Sequence, residues 1–229
     1  MPKKITDLAV GGQAVIEGVM MRDAHRTATA VRLPSGDIDV ETRTVSSIRD
    51  RYPVLKLPLI RGSVIMVESL IIGMRALSFS AQAAGEEDEQ MTKKEIVMTI
   101  LFALVLASIL FIVIPTGAAH LAAAYTDDPI AFNLIEGGIR LMVFLLYIWG
   151  ISFMGGIRRV FQYHGAEHKT IHCYEAGEAL TVENVQKFPR LHPRCGTNFL
   201  LIVMVVAIVF HVFFGWPDLW LRILSRLAI

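Results

Sequence analysis

The longest apolar run in the chain extends from Ile96 to Ile114, and its only polar residues are Thr99 and Ser108. At 1.5 Å per residue, a helix over this run rises about 30 Å, the thickness of the hydrocarbon core of a bilayer. A helix buried in a soluble core is the alternative, but so long a run without a charged face favours spanning. The pattern therefore predicts a transmembrane helix.

Two further apolar runs follow along the chain. Leu141 to Phe153 is short, but it reaches about 20 residues if the helix begins near Leu134. That start places Glu136 and Arg140 near the membrane interface, where an arginine side chain can extend to water. Phe199 to Phe214 contains no Asp, Glu, Lys or Arg. We therefore expect about three transmembrane helices.

The segment from Leu55 to Ser80 is apolar overall but carries charges at a regular interval. Arg61, Glu68 and Arg75 recur every seven residues, which places them along one stripe of a helix. This pattern predicts a helix that lies in the membrane interface with its charged stripe facing water or the protein's own polar site. A re-entrant or fully embedded helix with paired charges is the alternative that the sequence leaves open.

The basic residues predict the orientation of the spans. Lys93 and Lys94 precede the first span, the loop through residues 124–129 has no Lys or Arg, and Arg158 and Arg159 follow the second span. Positive residues concentrate on the cytoplasmic side of membrane proteins. Residues 1–95 and 156–198 are therefore expected in the cytoplasm, and the protein in a bacterial cytoplasmic membrane.

The N-terminal part shows a β pattern. Thr27 to Val45 alternates around a turn at Pro34-Ser35-Gly36-Asp37, which is typical of a β-hairpin, and Gly11 to Met21 supplies another candidate strand. The predicted fold is a mainly α membrane protein with an interfacial helix and a small β-containing cytoplasmic N-terminal part. Its predicted divisions are a β-rich part (1–52), an interfacial or embedded helix (53–84), an acidic linker (85–95), and a transmembrane bundle (96–229) with a His/Cys loop at 156–198.

Composition narrows the function classes. Hydrophobic residues make up 54% of the chain and the net charge is +1, with no basic stripe of the kind that binds nucleic acid. The two cysteines are too few for a disulfide framework. We therefore expect the lipid bilayer as a partner, no nucleic acid, and either a homo-oligomer or a membrane protein partner as open alternatives.

A cluster of histidines follows the second predicted span. On a helix, His164, His168 and His172 fall at positions i, i+4 and i+8 of one face, and the first two can chelate one divalent ion. His172 lies a further turn away and is set aside. Glu167 completes a His-x-x-Glu-His order, which one class of zinc hydrolases uses with the glutamate as general base. Chance, or an amphipathic surface helix, can also produce this order.

A second cluster strengthens the interpretation. His192 and Cys195 lie just before the third predicted span and offer an imidazole and a thiol that a reducing cytosol keeps available. We therefore predict a metal site, with zinc as the expected ion, made by His164, His168 and either or both of His192 and Cys195. A polar interface with a partner, without metal, stays an alternative.

Four ordered motifs resemble those of the YqhQ family of uncharacterised bacterial membrane proteins. They are Gly11-Gly12-Gln13-Ala14-Val15-Ile16-Glu17-Gly18-Val19-Met20-Met21-Arg22, Arg61-Gly62-Ser63 with Val67-Glu68-Ser69-Leu70, Tyr163-His164-Gly165-Ala166-Glu167-His168-Lys169, and Arg194-Cys195-Gly196-Thr197. The resemblance implies a metal-dependent enzyme. Its motif positions fall on Glu17, Arg22, Glu68, His164, Glu167, His168, His192 and Cys195. It also implies that related chains continue past Ile229.

Two functions from different classes follow. The first is a metal-dependent hydrolase at the membrane surface, with Glu167 as the catalytic base. The alternative is a non-catalytic scaffold, assembly factor or transport component with a structural metal site. A structural site is closed by four protein ligands, whereas a catalytic site keeps one position open.

Overall fold

The computed structural model describes residues 10–85, 92–122 and 128–212. The predicted acidic linker falls largely on residues 86–91, the loop after the first span on 123–127, and the end of the third span on 213–214. These stretches and the termini lie outside the described residues. The chain divides into two units: a first unit of residues 1–91 and 155–192, and a second unit of 92–154 and 193–229.

The first unit begins with a four-stranded antiparallel sheet in the order β1-β2-β3-β4. The strands are β1 (Gly11–Val15), β2 (Gly18–Arg22), β3 (Arg26–Arg32) and β4 (Ile38–Thr44). The predicted hairpin is confirmed as β3 and β4, with Arg32 paired to Ile38 across the turn. Gly11 to Met21, predicted as one strand, instead forms the two strands β1 and β2.

Three helical segments follow the sheet: α1 (Ile48–Arg51), a 3₁₀ turn (Pro53–Lys56) and α2 (Pro58–Ala84). Pro58 occupies the first turn of α2, where a missing N–H costs nothing. The core of this part is formed by Val15, Met20 and Val31 of the sheet with Ala76 of α2, and Ile72, Leu77, Phe79, Ala83 and Ala84 pack against it. The C-terminal half of α2 is therefore held against the sheet.

The first unit is completed by α6 (Gly155–Glu175) and α7 (Val182–Gln186). The side of α6 contacts β1 and β2. The His/Cys loop was grouped with the transmembrane bundle in the sequence, whereas contacts assign its residues 155–192 to the unit that contains the sheet.

The second unit is helical. Its helices are α3 (Lys93–Ser108), α4 (Ile114–Ala122), α5 (Pro129–Ile151) and α8 (Gly196–Val212), and a π-helical turn at Ile109–Val113 joins α3 to α4. Pro115 follows this turn; a proline lacks the N–H for the helical bond and clashes with the carbonyl four residues earlier, so the regular α-helical pattern is disturbed at this point of the chain. Glu136 and Arg140 of α5 pair at 2.9 Å, and Glu136 is fully buried beside Thr116. Their position near the membrane interface stays a prediction.

Three helices in the described part of the chain are long and apolar enough to cross a membrane: Ile60–Ala84, Val97–Leu121 and Pro129–Ile151. The second and third correspond to two of the predicted spans. The remaining predicted span is a shorter apolar helix, Gly196–Phe210, within the described residues. The first is the helix predicted to lie in the interface, and that placement stays a prediction. The fold is mainly α with the expected small sheet and the apolar helices of a membrane protein.

Candidate metal centre

The histidine face of α6 forms as the sequence pattern predicts. The rings of His164 and His168 lie with their centroids 4.4 Å apart. Each offers a ligand nitrogen within 4.8 Å of that of the other. The two residues are one helical turn apart, and this spacing brings their imidazoles close enough to share one ion.

The ring of His168 is held in one orientation. Its Nδ1 lies 2.6 Å from the carbonyl oxygen of Arg190. A carbonyl only accepts hydrogen bonds, so Nδ1 carries the proton and donates it, which leaves the lone pair of Nε2 for a ligand. Histidines that bind metals in proteins are commonly oriented by such a bond at the second nitrogen. His168 is therefore prepared as an Nε2 ligand.

Glu167 lies beside this pair with only 5% of its surface exposed. Its Oε2 is 3.8 Å from Nε2 of His164. Burial raises the pKa of Glu167, and the charge of His168 opposes that rise to a smaller extent. Burial, followed by the charge of His168, lowers the pKa of His164. The arrangement thus favours a neutral imidazole, the form that binds metals, next to a carboxylate that is more basic than usual.

The side chain of Glu167 occupies space beside strand β1 that is free because residue 12 is a glycine. A Cβ added at Gly12 would lie 2.7 Å from both Cγ and Oε1 of Glu167 and 2.9 Å from its Cδ. Any side chain at this position would therefore push the carboxylate away. Glycine at position 12 has a definite role in the site, which the sequence pattern alone could not assign.

The turn between β1 and β2 is tied to α6 by a salt bridge. Both carboxylate oxygens of Glu17 accept from Arg159, at 2.9 and 2.6 Å, and the Tyr163 hydroxyl donates to Glu17 at 3.1 Å. The hydrogen bond from Arg159 is the main cause that lowers the pKa of Glu17. Glu17 adopts a φ of 48°, a left-handed conformation that costs a non-glycine residue about 1–2 kcal/mol. The ion pair therefore holds a strained turn against the helix that carries the histidines.

The other N-terminal candidates lie elsewhere. Arg22 donates to the hydroxyl of Ser69 on α2 at 3.1 Å. The backbone of His25 donates to Asp23 in the turn between β2 and β3. Glu17, in contrast, contacts α6 through Arg159 and through Tyr163, the residue directly before His164.

A second group of donors lies at the end of α6. His172, Glu175 and His192 each offer a ligand atom, and these atoms all lie within 4.8 Å of one another. Nε2 of His192 is 3.4 Å from Oε2 of Glu175. Two ligands that bind one tetrahedral zinc ion at about 2.1 Å lie about 3.4 Å apart. The ring of His192 is 4.4 Å from that of His172 and 5.9 Å from that of His168.

The members of this second group are also oriented. Nε2 of His172 lies 2.9 Å from the carbonyl oxygen of Leu191, and its ring stacks on Phe188 at 6.3 Å. Burial is the main cause that lowers the pKa of His192, followed by the charges of His172 and His168. Sequence spacing set His172 aside because it lies too far along the helix from His164. The return of the chain after α7 supplies the partner that spacing could not reveal.

The two cysteines and the remaining histidines differ in their surroundings. Cys195 belongs to the second unit, directly before α8, and its Sγ lies 2.8 Å from Oγ1 of Thr197. Its role as a ligand stays a prediction from the sequence. Cys173 is fully buried, and its thiol donates to the carbonyl of Ala179, which fits a packing role. His120 is exposed on α4, and the side chain of His211 lies outside the described residues.

Comparison with known proteins supports the resemblance seen in the four motifs. A family model described as "Protein of unknown function (DUF1385)" matches residues 57–229. The "Uncharacterized protein YqhQ" of Bacillus subtilis (strain 168) is 36% identical over 243 residues, covering 100% of this chain and 76% of that protein. No solved structure matches the chain. The chain therefore belongs to the DUF1385 family and is similar to YqhQ over its whole length.

Proposed function

We propose that the protein is a metal-dependent hydrolase that acts at the membrane surface. His164 and His168 hold a divalent cation, with zinc as the first ion to test, and Glu167 is the general base. A divalent cation bound there supplies Lewis acidity toward water and toward a carbonyl or phosphoryl oxygen. The protein's own part is to hold the cation, to orient the imidazoles and to accept a proton.

The observation that carries the proposal is the buried carboxylate of Glu167 beside the two imidazoles. A general base works best when its pKa is near the working pH, and burial moves the pKa of Glu167 in that direction. The 3.8 Å from Glu167 Oε2 to His164 Nε2 leaves the carboxylate close to the predicted cation. From there Glu167 can take a proton from an attacking water and return it to the leaving group.

The membrane placement belongs to the same proposal. The protein is placed in a bacterial cytoplasmic membrane. The distribution of Lys and Arg favours a cytoplasmic location for both the sheet and α6. The last turns of α2 pack against the sheet rather than being available to lipid, which favours the interfacial placement of this helix. The substrate then reaches the metal from the cytoplasm or from the membrane surface.

The second candidate function is a non-catalytic membrane protein with a structural metal site. It is favoured by the second donor group, His172, Glu175 and His192, which joins the end of α6 to the chain that returns after α7. An ion bound there would fix this return and, through it, the Arg190 carbonyl that orients His168. A scaffold, assembly factor or transport component uses such a site for stability and needs no catalytic step at it.

One substitution separates the two functions. The zinc-loaded full-length protein is assayed on chromogenic carboxylic esters and phosphodiesters, beside Glu167→Gln and the control Glu183→Gln, an exposed carboxylate on α7. The hydrolase proposal predicts at least about a hundredfold loss of rate in Glu167→Gln with unchanged metal content, and no loss in the control. Full activity in Glu167→Gln contradicts the proposed base. A wild type that retains metal, melts lower when it is chelated and hydrolyses no substrate supports the structural role.

A further inference from the structure

A cavity of about 590 Å³ lies in the first unit between α2 and the sheet. We propose that it binds an anionic amphiphile, a long-chain molecule that ends in a carboxylate or a phosphate. The proposal uses none of the residues of the metal centre and does not depend on it. The volume falls within the range of about 300–1,000 Å³ that is common for small-molecule sites.

The walls of the cavity are largely apolar. One side is a face of α2 that presents Val64, Val67, Ile71 and Ile72. The opposite side includes Met20 of β2 and the threonines Thr27 and Thr29 of β3. A hydrocarbon chain fits such walls because burying its methylene groups is favourable by about 0.8 kcal/mol each.

The charges around the cavity are unequally satisfied. The carboxylate of Glu68 accepts from the Ser47 hydroxyl at 2.8 and 3.1 Å and from the Ile48 backbone at 2.8 Å. It also lies 3.6 Å from Arg49. Glu68 therefore already has its partners, and it is not available to neutralise another cation of the cavity.

The two arginines of the cavity differ in the same respect. Arg43 forms a two-point pair with Glu41, with bonds of 2.7 and 2.6 Å. Arg75 is exposed and makes no ion pair with any residue that the structure describes. A guanidinium beside apolar walls complements a carboxylate or phosphate attached to a long chain. The charge of the proposed ligand follows from this contrast.

The helix that forms one wall also explains where such a ligand comes from. The segment Ile60–Ala84 is apolar enough to enter a membrane, and Met66 and Leu70 expose 58% and 61% of their surface. An amphiphile that is dissolved in the bilayer can therefore reach the cavity along α2. A free fatty acid and an anionic phospholipid share the required chemistry.

The test is binding of cis-parinaric acid to the full chain, which is purified and transferred to an amphipol free of lipid. Fluorescence titration is made with the wild type, Arg75→Gln, Ile71→Trp to fill the cavity, and Arg61→Gln. Arg61 is a matched control because it is exposed on the same helix and does not line the cavity. Thermal unfolding establishes that each variant is folded.

We expect saturable binding by the wild type and by Arg61→Gln, and at least about tenfold weaker binding by Arg75→Gln and Ile71→Trp. The methyl ester of the probe should bind as weakly as the acid binds to Arg75→Gln. Competition by lysophosphatidic acid stronger than by oleic acid identifies a phosphate ligand, and the reverse order a carboxylate. No saturable binding, or equal affinity in all four proteins, overturns the proposal.

Discussion

At the scale of single residues, the candidate site depends on the absence of a side chain at Gly12 as well as on the side chains of its donors. Gly12 has no side chain, and the carboxylate of Glu167 occupies the space that a side chain would take. At Gly11, the neighbouring residue in β1, an added Cβ would have no atom of the described residues within 4 Å. The two adjacent glycines therefore differ in the effect that a methyl group should have.

We predict that Gly12→Ala destabilises the protein by about 1–3 kcal/mol, because the new methyl group overlaps a buried side chain. Gly11→Ala should be neutral or slightly stabilising, because alanine restricts the unfolded chain by about 0.4–1 kcal/mol. Thermal unfolding of the detergent-purified variants measures both changes. Equal melting temperatures for the two variants would show that Gly12 does not border the carboxylate.

The sequence could predict the residues that share one helical turn, because their spacing is local. His164, Glu167 and His168 are found in this way, and α6 is a helix as expected. The salt bridge from Glu17 to Arg159 joins residues 142 positions apart, and no local pattern signals it. The second donor group was not predicted for the same reason. His172 and His192 come together only when the chain folds back toward α6 after α7.

At the scale of elements, residues with turn and capping roles decide where the prediction succeeds. In the β3–β4 turn, Gly36 has a φ of 91°. The Pro-Ser-Gly-Asp sequence of this turn is a recognisable turn signal. The β1–β2 turn instead places a glutamate at positive φ, so no turn signal was present and two strands were taken for one. Asp128 caps α5 before Pro129, which starts the helix five residues ahead of the predicted Leu134.

The packing of α5 against α8 gives an element-scale prediction. A Cβ at Gly137 would lie 2.5 Å from Cγ2 of Ile208, whereas one at Gly138 would meet nothing within 4 Å in the part of the chain that the structure describes. We expect Gly137→Ala to lower the free energy of unfolding by about 1–3 kcal/mol, because the two helices must separate. Gly138→Ala should raise it by up to about 1 kcal/mol through helix propensity.

Thermal unfolding followed by circular dichroism, in one detergent for all variants, measures this pair. The comparison is matched because both glycines lie in the same helix and both receive one methyl group. A Gly137→Ala protein as stable as Gly138→Ala would mean that α8 does not pack at this point of α5.

At the scale of the whole molecule, the hydrophobic pattern predicted a protein with membrane-spanning helices. The division of its helices and strands into two units is instead determined by contacts between distant parts of the chain. Long apolar runs are sufficient to identify helices that can cross a membrane. They do not reveal that α6, which follows α5 directly in sequence, belongs with a sheet formed more than a hundred residues earlier. Grouping of this kind depends on long-range contacts, and a periodic pattern carries no information about them.

The central claim is that α6 holds a divalent cation between His164 and His168. The most direct test is elemental analysis of the full-length protein after purification with added zinc, beside His164→Ala/His168→Ala and the control His120→Ala, an exposed histidine of α4. We predict that the wild type and the control retain at least one ion per chain and that the double variant, still folded, loses one. A wild type without metal, or a double variant with an unchanged content, would contradict the claim.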